Sequence, residues 1–137
     1  MKRIALLLAL AQAAATALAQ APAAVPAVAG AATYECGGVS QPDAEAMKAK
    51  AREHDLMLTF AESTGAYLAD IDVEIRDGRG AVVLSARCDG PIMLVDLPRA
   101  GKWRITASSD GQTQRTTITT TPGKTARTTL LWPARAS

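Results

Sequence analysis

The sequence predicts a mainly β fold: a single antiparallel β-sandwich or small barrel of seven short strands, with one short N-terminal α-helix. From Leu56 onward apolar and polar residues alternate with a period of two, which is typical of strands buried on one face. Turn sequences rich in Gly, Pro and Asp recur about every ten residues, as in sandwiches of short antiparallel strands. Before Leu56 the apolar residues follow a helical spacing instead.

The first 19 residues have the pattern of a secretory signal peptide. Lys2 and Arg3 precede an apolar run, and a small-x-small triplet ends at Ala19, where we expect cleavage. The run is too short and too rich in alanine for a membrane helix, which needs roughly 20 strongly apolar residues. An uncleaved anchor is the alternative. We expect a periplasmic or secreted protein with no membrane span after cleavage, and an Ala/Pro-rich linker over residues 20–33.

Two cysteines, Cys36 and Cys88, remain in a chain that is expected to reach an oxidising compartment. A structural disulfide between them is the natural interpretation. Closing a loop of this length stabilises a fold by roughly 4 kcal/mol in the chain-entropy model. Two separated cysteines and the single histidine, His54, cannot supply the four ligands of a structural zinc site. We therefore expect no metal and no other cofactor.

The segment 34–55 contains Cys36 and the predicted helix. Ser40 is expected to cap this helix, because its hydroxyl comes just before Pro42 and Asp43 in the first turn. Strong helix formers with a narrow apolar stripe follow as far as His54, so the helix is expected to pack on a sheet.

The sandwich is expected over residues 56–137. Turn sequences bound each of its seven predicted strands, which are 56–62, 68–76, 81–87, 92–97, 102–109, 112–120 and 125–132. In the strand 102–109, alternation places Trp103, Ile105 and Ala107 on the core side and Lys102 and Arg104 on the other.

One family pattern runs through these strands. A D-x-x-G turn, a D-G turn, alternating aliphatic residues and a P-x-G-x-W turn follow one another, at Asp77, Gly80, Asp89, Gly90, Ile92, Leu94, Leu97, Pro98, Gly101, Trp103, Ile105 and Ala107. Residues 65–132 thereby resemble the carboxypeptidase regulatory-like domain, although tryptophan stands where that family usually has tyrosine. The resemblance covers about half of the chain. It implies a transthyretin-like (prealbumin-like) sandwich and almost nothing about function, because such domains are appended to many proteins.

The residue pattern favours a protein that is not an enzyme and has no catalytic residue. The sequence contains no G-x-S-x-G, H-E-x-x-H or phosphate-binding glycine loop. His54 lies at the predicted helix end, where a capping or exposed role is favoured over catalysis. Asp70, Asp72 and Glu74 share one strand face and have two interpretations: oxygen ligands for calcium, or a solvated face paired with basic residues on a neighbouring strand.

Charge is divided along the chain. Residues 35–97 carry 12 acidic and 6 basic side chains, whereas residues 98–137 carry one acidic residue and seven basic ones. Without Lys2 and Arg3 the two signs balance, so we expect no nucleic-acid partner. Either the basic strands offer a binding face to an acidic protein or another anionic envelope component, or adjoining strands cancel the charges. The candidate binding face comprises Arg99, Lys102, Arg104, Arg115, Lys124 and Arg127.

Three functional hypotheses follow. The first is a non-enzymatic, secreted or periplasmic β-sandwich module that binds or supports another cell-envelope protein, with an anionic surface or a glycan as alternative partners. The second is a carbohydrate-binding module that uses Trp103 and Trp132 as stacking surfaces. The third is a hydrolase of the same compartment.

Overall fold

The structure, a computed structural model, describes residues 31–134. The predicted signal peptide and all but the last residues of the predicted linker lie outside the described residues. Within 31–134 the chain forms two four-stranded sheets and one α-helix. The elements are β1 (Thr33–Gly37), α1 (Gln41–Lys50), β2 (Leu56–Glu62), β3 (Ile71–Arg76), β4 (Val82–Cys88), β5 (Ile92–Asp96), β6 (Gly101–Ser109), β7 (Gln112–Thr120) and β8 (Ala126–Trp132).

The two sheets differ in strand order. Sheet I has the order β1-β5-β2-β8, and sheet II has the order β4-β3-β6-β7. The prediction of a mainly β fold with one short helix is confirmed, and all seven predicted strands are present. The largest shift of a strand end is in β3, which begins at Ile71.

The predicted number of strands is wrong, because residues 31–134 contain an eighth strand, β1. Its sequence, TYECG, is too short and too poor in apolar residues to be recognised as a strand. β1 pairs with β5 along its whole length, from Thr33 opposite Asp96 to Gly37 opposite Ile92. The Cys-containing segment is therefore part of the same sandwich.

The predicted all-antiparallel pairing is also wrong, because β8 lies parallel to β2. The pairing runs from Leu56 opposite Ala126 to Glu62 opposite Trp132. The starts of the two strands are tied together: the Ala126 N–H donates to the Asp55 carbonyl, and the Thr125 hydroxyl donates to the carbonyls of Ala51 and His54. Turn sequences predict hairpins between consecutive strands, and they carry no information about this distant pairing.

The main core lies between the two sheets. Its largest side chains are fully buried and come from inward-facing positions of both sheets, among them Phe60, Leu58, Trp103 and Ile105. Phe60 and Trp132 meet edge to face with ring centroids 6.2 Å apart. As alternation predicts, Trp103, Ile105 and Ala107 face the core.

Helix α1 covers the β1–β5 side of the outer face of sheet I, whereas the outward residues of β8 are exposed. Its start is confirmed, since the Ser40 hydroxyl accepts a hydrogen bond from the Asp43 N–H at 3.2 Å. It ends at Lys50, and a short 3₁₀ turn (Ala51–Glu53) follows. A second small core forms between this segment and β5. It contains Ala44 and Met47 of the helix, Ala51 of the 3₁₀ turn, and Ile92 and Leu94 of β5.

The predicted disulfide joins the two sheets at one side. Cys36 on β1 and Cys88 on β4 are bonded, with Cα atoms 5.6 Å apart. At the other end of the same edge, the Ala32 N–H donates to the Val83 carbonyl at 3.0 Å. Gly90 lies so close to the Gly37 carbonyl that a β-carbon would collide with it. This side of the sandwich is therefore closed by backbone contact as well as by the disulfide.

Candidate functional site

The outer face of sheet II is made of polar and charged side chains. We call it the open face and define it by the outward residues Asp72, Glu74, Arg76, Ser85, Arg87, Lys102, Arg104, Thr106, Ser108, Thr113, Arg115, Thr117 and Thr119, which lie on one side of the registered strands. Outward and inward residues alternate because successive side chains in a strand point to opposite faces. No other described element of the chain packs across this face.

The β3–β4 half of the open face is charge-balanced. Arg87 lies beside Asp72, with Nη1 and Oδ1 3.7 Å apart. Arg76 donates through Nε to Glu74 and through Nη1 to the Gly80 carbonyl. Each carboxylate on this half thus has an arginine partner from the same acidic part of the chain.

These ion pairs involve Asp72 and Glu74, for which the sequence allows either calcium binding or pairing with basic residues. Asp72 contacts Arg87 on the neighbouring strand, as expected for a solvated face, whereas Glu74 contacts Arg76 of its own strand. Asp70 precedes β3 with a φ of 58°. Within residues 31–134 there is no group of three His, Cys, Asp or Glu side chains placed to hold a metal ion.

The β6–β7 half of the open face carries cations without carboxylates. Arg104 is opposite Thr117, and Arg115 is opposite Thr106, so the two arginines are diagonal neighbours on adjacent strands. Lys102 lies two residues before Arg104 on the same face. For these three residues no ion pair is recorded within residues 31–134.

The ion pairs show how the divided charge is resolved in three dimensions. Of those recorded in the described range, only Arg99–Asp77 joins the acidic part of the chain to the basic part. The pairs of Asp72 and Glu74 both use arginines of the acidic part. Among these pairs only Asp72–Arg87 joins adjoining strands, β3 and β4, and the basic residues of β6 and β7 have no recorded ion pair in the described range.

A shallow groove of about 610 Å³ crosses the open face over β3, β6 and β7. Its charged lining consists of Arg76, Arg104, Arg115 and Glu74, and Thr106 and Thr117 add hydroxyl groups. Three guanidinium groups therefore face one carboxylate, which is already bonded to Arg76. The groove has the chemistry of an anion-binding surface.

Arg99 does not belong to this groove. It lies in the turn between β5 and β6, where Nη2 donates to Asp77 Oδ2 at 3.0 Å and the guanidinium lies 5.1 Å from the centre of the Trp103 ring. Asp77 also accepts from the N–H groups of Arg79 and Ala81, both at 2.9 Å. Arg99 thus ties two turns together.

The bonds to Asp77 change its acidity. The Ala81 N–H contributes most to lowering the pKa of the Asp77 carboxyl below its usual value, with further contributions from the Arg79 N–H and the Arg99 guanidinium. The carboxylate is therefore held ionised within the β3–β4 turn.

Lys124 and Arg127 lie elsewhere on the surface. Lys124 is in the turn between β7 and β8, and Arg127 is on the outer face of sheet I, with Nη1 3.7 Å from the Met57 sulfur. Of the six residues in the predicted binding face, the structure therefore brings together only Lys102, Arg104 and Arg115.

Both tryptophans are buried. Trp103 is 1% exposed and Trp132 is 3% exposed. Trp132 borders a depression of about 370 Å³, and its Nε1 donates to the Gln112 carbonyl at 3.0 Å. Within residues 31–134, the Trp103 Nε1 has no hydrogen-bond partner. Neither ring offers the exposed face that stacking on a sugar needs.

His54 lies at the end of the 3₁₀ turn, where its N–H donates to the Ala51 carbonyl. Its Nδ1 is 3.0 Å from Asp96 Oδ2, and its side chain is 19% exposed. Within residues 31–134 no hydroxyl or thiol side chain is hydrogen bonded to the His54 ring. A nucleophile activated by His54 is therefore not assembled here.

Comparison with protein-family models and with curated proteins finds no match to this chain. Among the described residues, no helix has the length and apolar character needed to cross a membrane.

Proposed function

We propose that the chain is a non-enzymatic, secreted or periplasmic β-sandwich module that binds another cell-envelope protein through the open face of sheet II. The observation that carries this proposal is that the outer faces of the two sheets differ in what covers them. Helix α1 covers the β5 side of sheet I, whereas sheet II presents Lys102, Arg104 and Arg115 with no recorded ion-pair partner in the described range. A charged, uncovered face suits association with a partner of opposite charge.

The cellular location rests on separate observations. The pattern of residues 1–19 is that of a signal peptide, and the Cys36–Cys88 disulfide is typical of oxidising compartments. The resemblance to the carboxypeptidase regulatory-like domain accords with an accessory role. N-terminal sequencing of the exported chain should begin at Gln20, and a cytoplasmic or uncleaved chain would contradict the location.

The binding proposal is tested by capture from a cell-envelope fraction. We expect the wild-type chain to retain one protein that rebinds in purified form, and the double variant Arg104→Glu/Arg115→Glu to retain much less of it. The double variant Lys124→Glu/Arg127→Glu is the matched control, because it makes the same charge change away from the open face. Failure of any purified protein to rebind the wild-type chain would overturn the proposal.

Neither alternative function gains an observation. The carbohydrate-binding hypothesis depended on Trp103 and Trp132, whose rings are buried. For the hydrolase hypothesis, the recorded side-chain partner of His54 is the Asp96 carboxylate, and no hydroxyl or thiol is bonded to its ring within residues 31–134.

A further inference from the structure

The groove on the open face has an excess of positive charge that no neighbouring carboxylate removes. Arg76 is engaged by Glu74 and by the Gly80 carbonyl, which leaves Arg104 and Arg115 as the guanidinium groups without a recorded ion pair among the described residues. Arginine binds carboxylates in a planar, two-bond geometry that combines charge with orientation. A ligand with carboxylates therefore fits the free donors of this groove.

The spacing of the cations indicates the shape of that ligand. The register pairs Arg104–Thr117 and Thr106–Arg115 are adjacent, so the Cα atoms of Arg104 and Arg115 are roughly 7–8 Å apart as diagonal neighbours. Lys102 precedes Arg104 by two residues, or about 6.6 Å along β6. In an extended peptide, alternate side chains on one face are also separated by about 6.6 Å.

The surroundings limit how far the negative charge of the ligand can extend. Asp72 and Glu74 occupy the adjoining strand of the same face, and both keep carboxylates beside the groove. A long, uniformly charged polyanion lying across the sheet would approach these carboxylates. A short segment with a few carboxylates would contact only the β6–β7 half.

We propose that this groove binds an acidic segment of a protein partner in extended conformation, in which carboxylates on alternate residues bind Arg104 and Arg115. The proposal rests on the proposed function and specifies the chemistry of the partner. The hydroxyl groups of Thr106 and Thr117 border the same groove and can donate to the bound carboxylates. Lys102 extends the site along β6.

The test is a titration of the ¹⁵N-labelled chain with the peptide acetyl-Ser-Glu-Ser-Glu-Ser-amide, followed by amide chemical shifts at low ionic strength. We expect shifts concentrated on β6 and β7 and a lower affinity as salt is added. Replacing either Arg104 or Arg115 by Gln should weaken binding about three- to fivefold, as for a partly exposed ion pair. The same substitution at Arg127 is the matched control and should leave the affinity unchanged.

Three results would overturn this inference. The first is that Arg127→Gln weakens peptide binding as much as Arg104→Gln or Arg115→Gln does. The second is that the peptide with Gln in place of Glu binds equally well, and the third is that dextran sulfate or inorganic phosphate binds the groove more tightly than the acidic peptide does. A captured envelope protein that still binds Arg104→Gln and Arg115→Gln fully but is lost with Arg104→Glu/Arg115→Glu would also overturn it, while leaving the proposed function standing. Peptide binding at β6 and β7 without any captured envelope protein would support the groove chemistry and count against the proposed function.

Discussion

The two outer faces of this sandwich differ in what lies over them, and their strands differ accordingly. β5 in sheet I has the run IMLVD, whose outward residues Ile92 and Leu94 are buried under α1. β6 in sheet II alternates strictly, with Trp103 and Ile105 inward and charged residues outward. A continuous apolar run thus marks a covered strand and strict alternation marks an uncovered one, because only the covered strand has two dry faces.

The largest effect should come from the disulfide that joins β1 of sheet I to β4 of sheet II. Replacing Cys36 and Cys88 by Ser should lower the free energy of unfolding by about 4 kcal/mol, since the unfolded chain regains the freedom of a long loop. Urea denaturation of the oxidised wild type and the double variant measures this. A loss below about 1 kcal/mol would mean that backbone pairing alone holds β1.

The contrast between the faces can be measured at two matched outward positions, Leu94 on β5 and Thr106 on β6. Leu94→Ala should cost about 3 kcal/mol because it leaves a cavity between β5 and α1. Thr106→Ala should cost less than about 1 kcal/mol, because that side chain lies on the open face. Similar losses in denaturant unfolding would contradict the description of sheet II as uncovered.

A further contrast concerns pH and the turn that Arg99 secures. The pKa of Asp77 is lowered by the Ala81 N–H first and then by the Arg79 N–H and Arg99, so its ionised form stabilises the fold. This stabilisation is fully present above the unfolded-state pKa of about 3.9 and is lost as the pH falls through the lower folded-state pKa. Asp77→Asn should therefore be less stable than wild type at neutral pH.

Thermal unfolding between pH 7 and pH 2 would show the two curves converging at acid pH. Asp72→Asn is the control, because Asp72 forms only an exposed pair with Arg87 on the open face. If the loss of stability relative to wild type had the same size and pH dependence in both variants, the hydrogen bonds to Asp77 would not be the cause.

The smallest effect on stability is expected in the groove itself. Arg104→Gln and Arg115→Gln should change the free energy of unfolding by less than about 0.5 kcal/mol, since both side chains are exposed and have no recorded ion pair in the described range. Denaturant unfolding of each variant beside wild type checks this. A clear loss of stability would assign the two arginines to the scaffold.

Much of the architecture could be predicted from local pattern. Alternation and turn residues located β2 to β8, and the Ser40 hydroxyl marked the start of α1. β1 was missed because five residues with little apolar surface carry too weak a pattern. The parallel β2–β8 pair was missed because it depends on contacts between distant parts of the chain.

The candidate site was predicted less completely, for a related reason. The excess of basic residues after Pro98 was visible, but strand register decides which of them are neighbours. Arg99 looked equivalent to Arg104 in sequence, yet Asp77 and the Trp103 ring engage it in the fold. Cross-strand partners of this kind are not encoded by spacing along the chain.

The parallel pairing of β2 with β8 has a consequence for how the protein is made. Met57 and Arg127 meet across this pair although 70 residues separate them, so sheet I is completed only after the last strand has been synthesised. Contacts of such long range slow folding, because the loop must close before the pairing is gained. A chain emerging from the ribosome would therefore keep sheet I incomplete until β8 has been synthesised.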